Sequence, residues 1–359
     1  MAVNSSKWWR RASAIAAEIH FPTTTGGDWY CFGRSTLVVD CEDVSFSQRF
    51  KDIFAECAIA PIGDQAPGRV DLRVKRVASD PGLLAVSVTP ALPDGVTFLR
   101  RLLPERQYTE CDDLHEGWRM VATLEAPYEP VLAFGPSQIL VSQRHPWQHV
   151  LALYAIGSAF WMQPDMFLFH AASVGVSGSG IVLSGPKGAG KTTLALTLAS
   201  RDHAFLGDEW AALSTLTGEL LPLRRLASIR PGPHPERLDE YLDNHGRPAE
   251  ILPDGTERVR ARVGVAFPRA LPQVVPLTDV FFLRRFSSRP AVEPYARNGE
   301  ALPPISPLLA SVWGHSPGRR ALDLLRTLNN ARWWRLDVGG SPEETTDLIE
   351  KTIKENSWQ

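Results

Sequence analysis

The chain has 359 residues, of which 38 are Lys or Arg and 40 are Asp or Glu, giving a formal net charge of −2. That length holds a substantial core spread over about two domains, and the even charge balance excludes a global attraction to nucleic acid or to an anionic membrane surface. Four cysteines, Cys31, Cys41, Cys57 and Cys111, form no CxxC pair, which argues against a zinc site or a dense disulfide framework and for reduced structural thiols.

Taken in chain order, the basic stretch Lys7-Trp8-Trp9-Arg10-Arg11 is followed by an apolar run that meets Glu18 too soon for a signal peptide. Residues 46–59 suit a short helix. Residues 35–40, 69–74, 83–88 and 117–124 read as strands, and two of the first three partly alternate apolar and polar residues. These runs predict a β-rich α+β domain over residues 1–136; recognition of a substrate or partner is a role open to it that the runs themselves do not indicate. No catalytic constellation stands out in it. Trp8, Trp9 and Trp29 read as packing anchors, and Glu110-Cys111-Asp112-Asp113 as a solvated loop.

A second domain is expected over residues 137–359. Residues 136–163 read as a helical bridge. Its apolar run, 150–162, is shorter than the ~20 residues of a membrane span, so it reads as a buried helix of a cytoplasmic protein. Residues 166–176 give one or two β segments and 180–184 another.

Immediately after them comes Gly185-Pro186-Lys187-Gly188-Ala189-Gly190-Lys191-Thr192, which fits GxxxxGK[ST] and leads through Thr193 into a leucine-rich helical stretch. Strand, loop and helix make this the context of a phosphate-cradling loop. Its glycines let successive N–H groups converge on anionic oxygens, Lys191 brings a mobile positive charge, and Thr192 offers a hydroxyl to Mg²⁺. A plain glycine-rich turn leaves the lysine-threonine pair unexplained.

Downstream, the apolar Ala204-Phe205-Leu206-Gly207 ends in Asp208-Glu209, carboxylates at a strand end that can face a nucleotide's metal. Residues 231–254, rich in Pro, Gly, His and charge, read as a flexible, partly helical insertion suited to a lid. Residues 277–283 predict a strand that ends before Arg284-Arg285, and residues 332–338 another. Ser341-Pro342-Glu343-Glu344 then opens a capped helix with proline in its first position. The sequence holds no internal repeat.

In their order and spacing, Phe169-His170-Ala171-Ala172-Ser173-Val174, the glycine-rich loop and Leu206-Gly207-Asp208-Glu209 resemble the catalytic domain of HPr kinase/phosphorylase and its HPr-kinase-like relatives, among them kinases that tailor ribosomally made peptides. The likeness spans roughly residues 165–350, best at 168–213, with weaker echoes at 226–232 and 335–338. Residues 1–136 do not resemble that family's usual amino-terminal domain.

The resemblance implies an α/β fold: a P-loop kinase domain of the phosphoenolpyruvate-carboxykinase-like type with a mixed sheet. It implies transfer of the γ-phosphoryl group of ATP, with Mg²⁺, to a hydroxyl of a peptide or protein serine or threonine, or of a small molecule. By the same likeness His170 sits beside the phosphates, Lys191 and the loop hold them, and Asp208 and Glu209 serve the acceptor hydroxyl and the metal. Thr192 and Asp208 are the expected metal ligands, and Asp208 is favoured as the base.

Glu209 stands where the family has a second aspartate. Ser228 stands where the regulatory enzyme has a glutamate, so a metal-shell carboxylate is missing, which argues against phosphorylase activity and against HPr as the substrate. Arg230 matches an arginine able to hold a phosphate oxygen. Related kinases often form homo-oligomers, although no heptad predicts an interface here. Rival readings are a small-molecule kinase, a nucleotide-binding regulator without efficient transfer, and a plain NTPase.

Overall fold

The computed structural model describes residues 11–21, 26–63, 65–93, 108–111, 118–123, 130–135, 138–143, 147–230, 234–245, 249–251, 257–295 and 317–356. The chain divides into two compact units, residues 1–52 with 58–164, and residues 53–57 with 165–359.

The first unit begins with α1 (Ala12–Ala17) and is built on a nine-stranded sheet. Its strands are β1 (Asp28–Phe32), β2 (Ser35–Cys41), β3 (Ala58–Ile59), β4 (Val70–Arg76), β5 (Leu83–Thr89), β6 (Tyr108–Cys111), β7 (Arg119–Thr123), β8 (Pro130–Phe134) and β9 (Ile139–Ser142). They run in the order β3-β1-β2-β4-β5-β9-β8-β7-β6. Only β2 and β4 pair in parallel in this sheet, among the described residues, and α2 (Val44–Ile53) lies on the connection between them. The start of α2 is set locally: Asp43 accepts from the Ser45 hydroxyl at 2.7 Å and from the Phe46 amide at 2.9 Å, the geometry of an N-cap. In β4 the alternation read from sequence is real, with Val70, Leu72 and Val74 buried between the less buried Asp71 and Arg73.

The segment expected as a helical bridge is a strand followed by a helix. Residues 139–142 pair with β5 and β8, and only Trp147–Trp161 forms the helix α3. Leu151, Ala155, Ile156, Ala159 and Phe160 of α3 are essentially inaccessible. Phe160 lies edge-on to Phe32 at 6.5 Å and Tyr154 meets Phe134 at 5.6 Å. This packing keeps α3 with the first sheet, so the compact units part at Pro164 and Asp165 rather than at 136/137.

Trp29 is a buried anchor with the Arg69 guanidinium 5.1 Å from its ring. Trp8, Trp9, Asp112 and Asp113 lie outside the described residues. Cys31, Cys41 and Cys57 are not joined in disulfides. Burial raises the pKa of Cys31 and pushes that of Cys41 to about 12, which keeps both protonated and unreactive.

The second unit is a mixed α/β assembly. Its strands are β10 (Met166–Phe169), β11 (Ala172–Val176), β12 (Ser179–Ser184), β13 (Ala204–Gly207), β14 (Ala211–Ser214), β15 (Glu219–Leu221), β16 (Ala227–Ile229), β17 (Ala249–Ile251), β18 (Glu257–Ala261), β19 (Val275–Ser287), β20 (Ala291–Pro294) and β21 (Arg332–Gly339). Its helices are α4 (Lys191–Ser200), α5 (Glu236–His245), α6 (Val263–Ala266), α7 (Pro317–Asn329) and α8 (Pro342–Asn356). The main sheet runs β10-β14-β15-β19-β12-β11-β13, with β21 on β19 and β20 on β21. β19 runs parallel to both β12 and β21, while β11 is antiparallel to β12 and to β13.

One core, containing Leu194 and Leu198 of α4 with Ile349 and Ile353 of α8, covers one side. A second gathers Phe167, Phe169, Leu213, Leu324, Leu328 and Trp333. The capped helix read at Ser341 is α8, where Ser341 and Glu344 exchange amide-to-side-chain bonds of 3.2 and 3.0 Å as a capping box. The insertion read at 231–254 contains α5, anchored in the first of these cores by Leu238 and Leu242. Residues 231–233, 246–248 and 252–254 of it lie outside the described residues. Among the described residues, no helix is long and apolar enough to cross a membrane.

Candidate active site

The glycine-rich loop joins the end of β12 to the start of α4. Two glycines are required by geometry. A Cβ at Gly185 would stand 2.8 Å from the Leu283 carbonyl oxygen, and Gly190, at φ 95°, is the left-handed residue from which α4 departs without a side-chain cap. Pro186, Lys187 and Gly188 are exposed at the loop tip, Ala189 is buried against the core, and Thr193 is half-buried in the first turn of the helix.

Lys191 folds back over the loop, its Nζ donating to Gly185 O at 2.8 Å and Pro186 O at 3.1 Å. It is only 8% exposed. Burial lowers its pKa, opposed by the charges of Asp208 and Glu209 and assisted by Arg230.

Next in sequence, Thr192 places its hydroxyl 2.9 and 3.1 Å from the two carboxylate oxygens of Asp208. The turn between β13 and β14 carries that aspartate. Asp208 is buried, and burial first, then the Glu209 charge, pushes its pKa up to about 6 against the pull of the Thr192 hydrogen bond and Arg225.

Glu209 sits at φ 64°, a left-handed conformation rare for a residue with a side chain. That backbone turns its carboxylate onto Arg225, with Oε2 2.9 Å from Nη2. Arg225 in turn lies over the Trp210 ring, 4.8 Å from its centroid. Neither Arg225 nor Trp210 is singled out by sequence reading. The available signal was the run Leu223-Arg224-Arg225-Leu226, where two arginines interrupt apolar residues.

Behind Arg225, the buried Arg224 is held by Glu56, with Nε 2.8 Å from Oε2. Glu56 also accepts from the Gly264 amide at 3.0 Å. This glutamate belongs to residues 53–57, which cluster with the second unit.

His170 follows β10 at the exposed rim of the cluster. Partial desolvation and the Lys191 charge, with Arg225, lower its pKa against the pull of Glu209, so its imidazole is neutral near pH 7. Arg230, also exposed, directs Nη1 to 3.3 Å from where a Gly188 Cβ would stand. It has no carboxylate partner among the described residues. Ser228 is buried in β16 opposite Arg260.

The arrangement thus brings two cations and a raised-pKa carboxylate around the loop at one end of β12. No group of three or more His, Cys, Asp or Glu residues forms a metal cage among the described residues. Mg²⁺ suits such a site, because it takes one or two protein oxygens and fills its shell with phosphate oxygens and water. The Thr192 hydroxyl and the Asp208 carboxylate, already adjoining, are a fitting pair.

No family model matches the chain, and no curated protein matches it. Among solved structures, the Hpr(Ser) kinase/phosphatase from Coxiella burnetii matches at 12% identity and a TM-score of 0.28, over 53% of this chain and 90% of that one.

Proposed function

We propose that the second unit is an ATP-dependent phosphotransferase of the HPr-kinase-like serine kinase type, on a P-loop fold of the phosphoenolpyruvate-carboxykinase-like kind. It transfers the γ-phosphoryl group to an alcohol, with a serine or threonine of a peptide or protein as the acceptor. The observation that carries this reading is the contact between Thr192 and Asp208, which joins a GxxxxGK[ST] loop to an acidic turn beside Lys191 and Arg230.

In this reading the loop amides and Lys191 hold the β and γ phosphates, Lys191 exchanging two loop carbonyls for phosphate oxygens. Arg230 takes a further oxygen by charge-assisted hydrogen bonds. Thr192 and Asp208 would hold Mg²⁺, which when bound would offset the negative charge of the phosphates. Asp208 accepts the acceptor's proton; burial and the neighbouring Glu209 charge raise its pKa above that of an ordinary carboxylate before Mg²⁺ binds. Glu209 is already engaged in an ion pair with Arg225. His170, uncharged, sits beside the phosphates and helps organise the site.

A peptide acceptor is favoured by the nine-stranded sheet of the first unit, whose order ends in β3 and β6 and which an extended peptide can lengthen by a strand. A cytoplasmic setting goes with ATP as donor.

The test incubates the protein with Mg²⁺ and γ-labelled ATP, with and without candidate peptides and metabolites, and locates the label by mass. The expected outcome is label on a peptide hydroxyl, absent in Lys191→Ala. Label on a metabolite alone reassigns the acceptor, and free phosphate without an acceptor identifies an NTPase. ATP binding without turnover reduces the protein to a nucleotide-dependent regulator.

A further inference from the structure

The phosphate end of the site is fixed on one flank of β12. β11 and then β13 lie on that flank, and β13 leads into Asp208, which touches Thr192. The opposite flank is formed by β19 and β21, parallel to β12, so their carboxyl ends open on the same edge as the loop. Ligands of such sheets lie outside those carboxyl ends.

At that edge stands Phe286. β19 carries three phenylalanines, and two of them are buried against aromatic partners: Phe281 is stacked on Trp334 at 6.2 Å and Phe282 on Trp333 at 5.2 Å. Phe286 is 66% exposed and has no aromatic partner among the described residues. The pairing of β19 with β21 shifts register between Leu283 and Phe286, after which Phe286 pairs with Val338.

Its position relative to the loop is close. A Cβ built on Gly190 would lie 3.9 Å from the Phe286 ring and 3.9 Å from Val338 Cγ1. An unpartnered aromatic face therefore adjoins the residue from which α4 begins, across β12 from the carboxylates.

The geometry points to Phe286, backed by Val338, as the platform on which the nucleotide's base stacks; this rests on the nucleotide reading above. The phosphates occupy the loop, the terminal phosphate lies towards Asp208, and the base runs to the β19 flank. A flat hydrocarbon ring reads the face of a base and not its edges. The site thus accepts adenine and guanine nucleotides with affinities within a few-fold of each other.

The experiment measures binding of ATP and of inorganic tripolyphosphate to the full chain by calorimetry, for wild type, Phe286→Ala and Phe286→Trp. Because Phe286 is exposed, both variants should keep the wild-type unfolding temperature. The expected result is a loss of about tenfold in ATP affinity for Phe286→Ala with tripolyphosphate unchanged. Phe286→Trp retains ATP affinity and shows added indole quenching, relative to wild type, with ATP but not with tripolyphosphate.

Unchanged ATP binding in Phe286→Ala overturns the platform, as does an equal loss for ATP and tripolyphosphate, which would mark a damaged loop. Wild type binding neither ligand removes the nucleotide reading itself. Wild type binding tripolyphosphate as tightly as ATP keeps the phosphate cradle and removes the base platform.

Discussion

Two buried aspartates of the second unit, Asp279 and Asp208, have opposite surroundings. Asp279, on β19, is wholly inaccessible, and both its oxygens are met: Arg332 grips it with two bonds of 2.8 Å, and the Trp334 indole donates at 2.7 Å. Asp208 is 3% exposed, receives the Thr192 hydroxyl and the Glu209 amide but no guanidinium, and has another carboxylate as its sequence neighbour. The first is a cross-strand clamp between β19 and β21. The second is a charge that the fold tolerates at a cost, a mismatch that goes with the reactive role given to it under the proposed function.

The largest expected effect separates the two by activity. Under the proposed function, Asp208→Asn keeps an acceptor for the Thr192 hydroxyl but cannot take a proton, so phosphoryl transfer should fall by about 10²–10⁴. The same change should stabilise the protein. The fold raises the Asp208 pKa from an ordinary 3.8 to about 6, so it favours the protonated acid. That contribution is complete below pH 3.8 and lost as pH rises through about 6, leaving ~3 kcal/mol of strain in the ionised form. Asp208→Asn should therefore unfold at higher urea than wild type at pH 8, with the difference gone below pH 4. A variant that is both inactive and less stable at pH 8 would place Asp208 with Asp279 as a structural residue.

Next in size, Asp279→Asn should lower stability by about 3 kcal/mol, because it leaves a guanidinium without its counter-charge. Turnover per folded molecule should survive at temperatures below the transition. Retained stability in denaturant would show that the clamp is dispensable.

The smallest effect concerns Arg225. Under the proposed function, the activity of wild type should fall on the acid side as Asp208 protonates, at a pH that bound Mg²⁺ lowers. Arg225 lowers that pKa, so Arg225→Met should move the acid limb to higher pH while leaving the Trp210 face covered. A limb that stays in place would detach Arg225, or Asp208, from the titration.

The local signals in the sequence were those with a fixed short span. The glycine-rich loop, the Asp208-Glu209 turn, the alternation of β4 and the Ser341 capping box each depend on neighbours within a few residues. What sequence did not disclose depends on distant partners. Ile139–Ser142 is a short apolar run buried throughout, and such a run has no period to tell a strand from the start of a buried helix. β19 continues through Arg284 because Arg284 meets Asp337 and Glu293, so a charge that read as the strand's end lies inside it. Arg225 meets Glu209 only once the chain has turned through β14 and β15. Asp279 and Arg332 are 53 positions apart.

Residues 53–57 carry one last consequence. Glu56 neutralises the buried Arg224, next to the arginine that holds Glu209. A fragment cut at Asp165 would lose that counter-ion and leave a guanidinium stranded in its interior. In heredity the same holds: one recombination crossover between the two units cannot move the second intact, so the chain is expected to pass through evolution as an indivisible block.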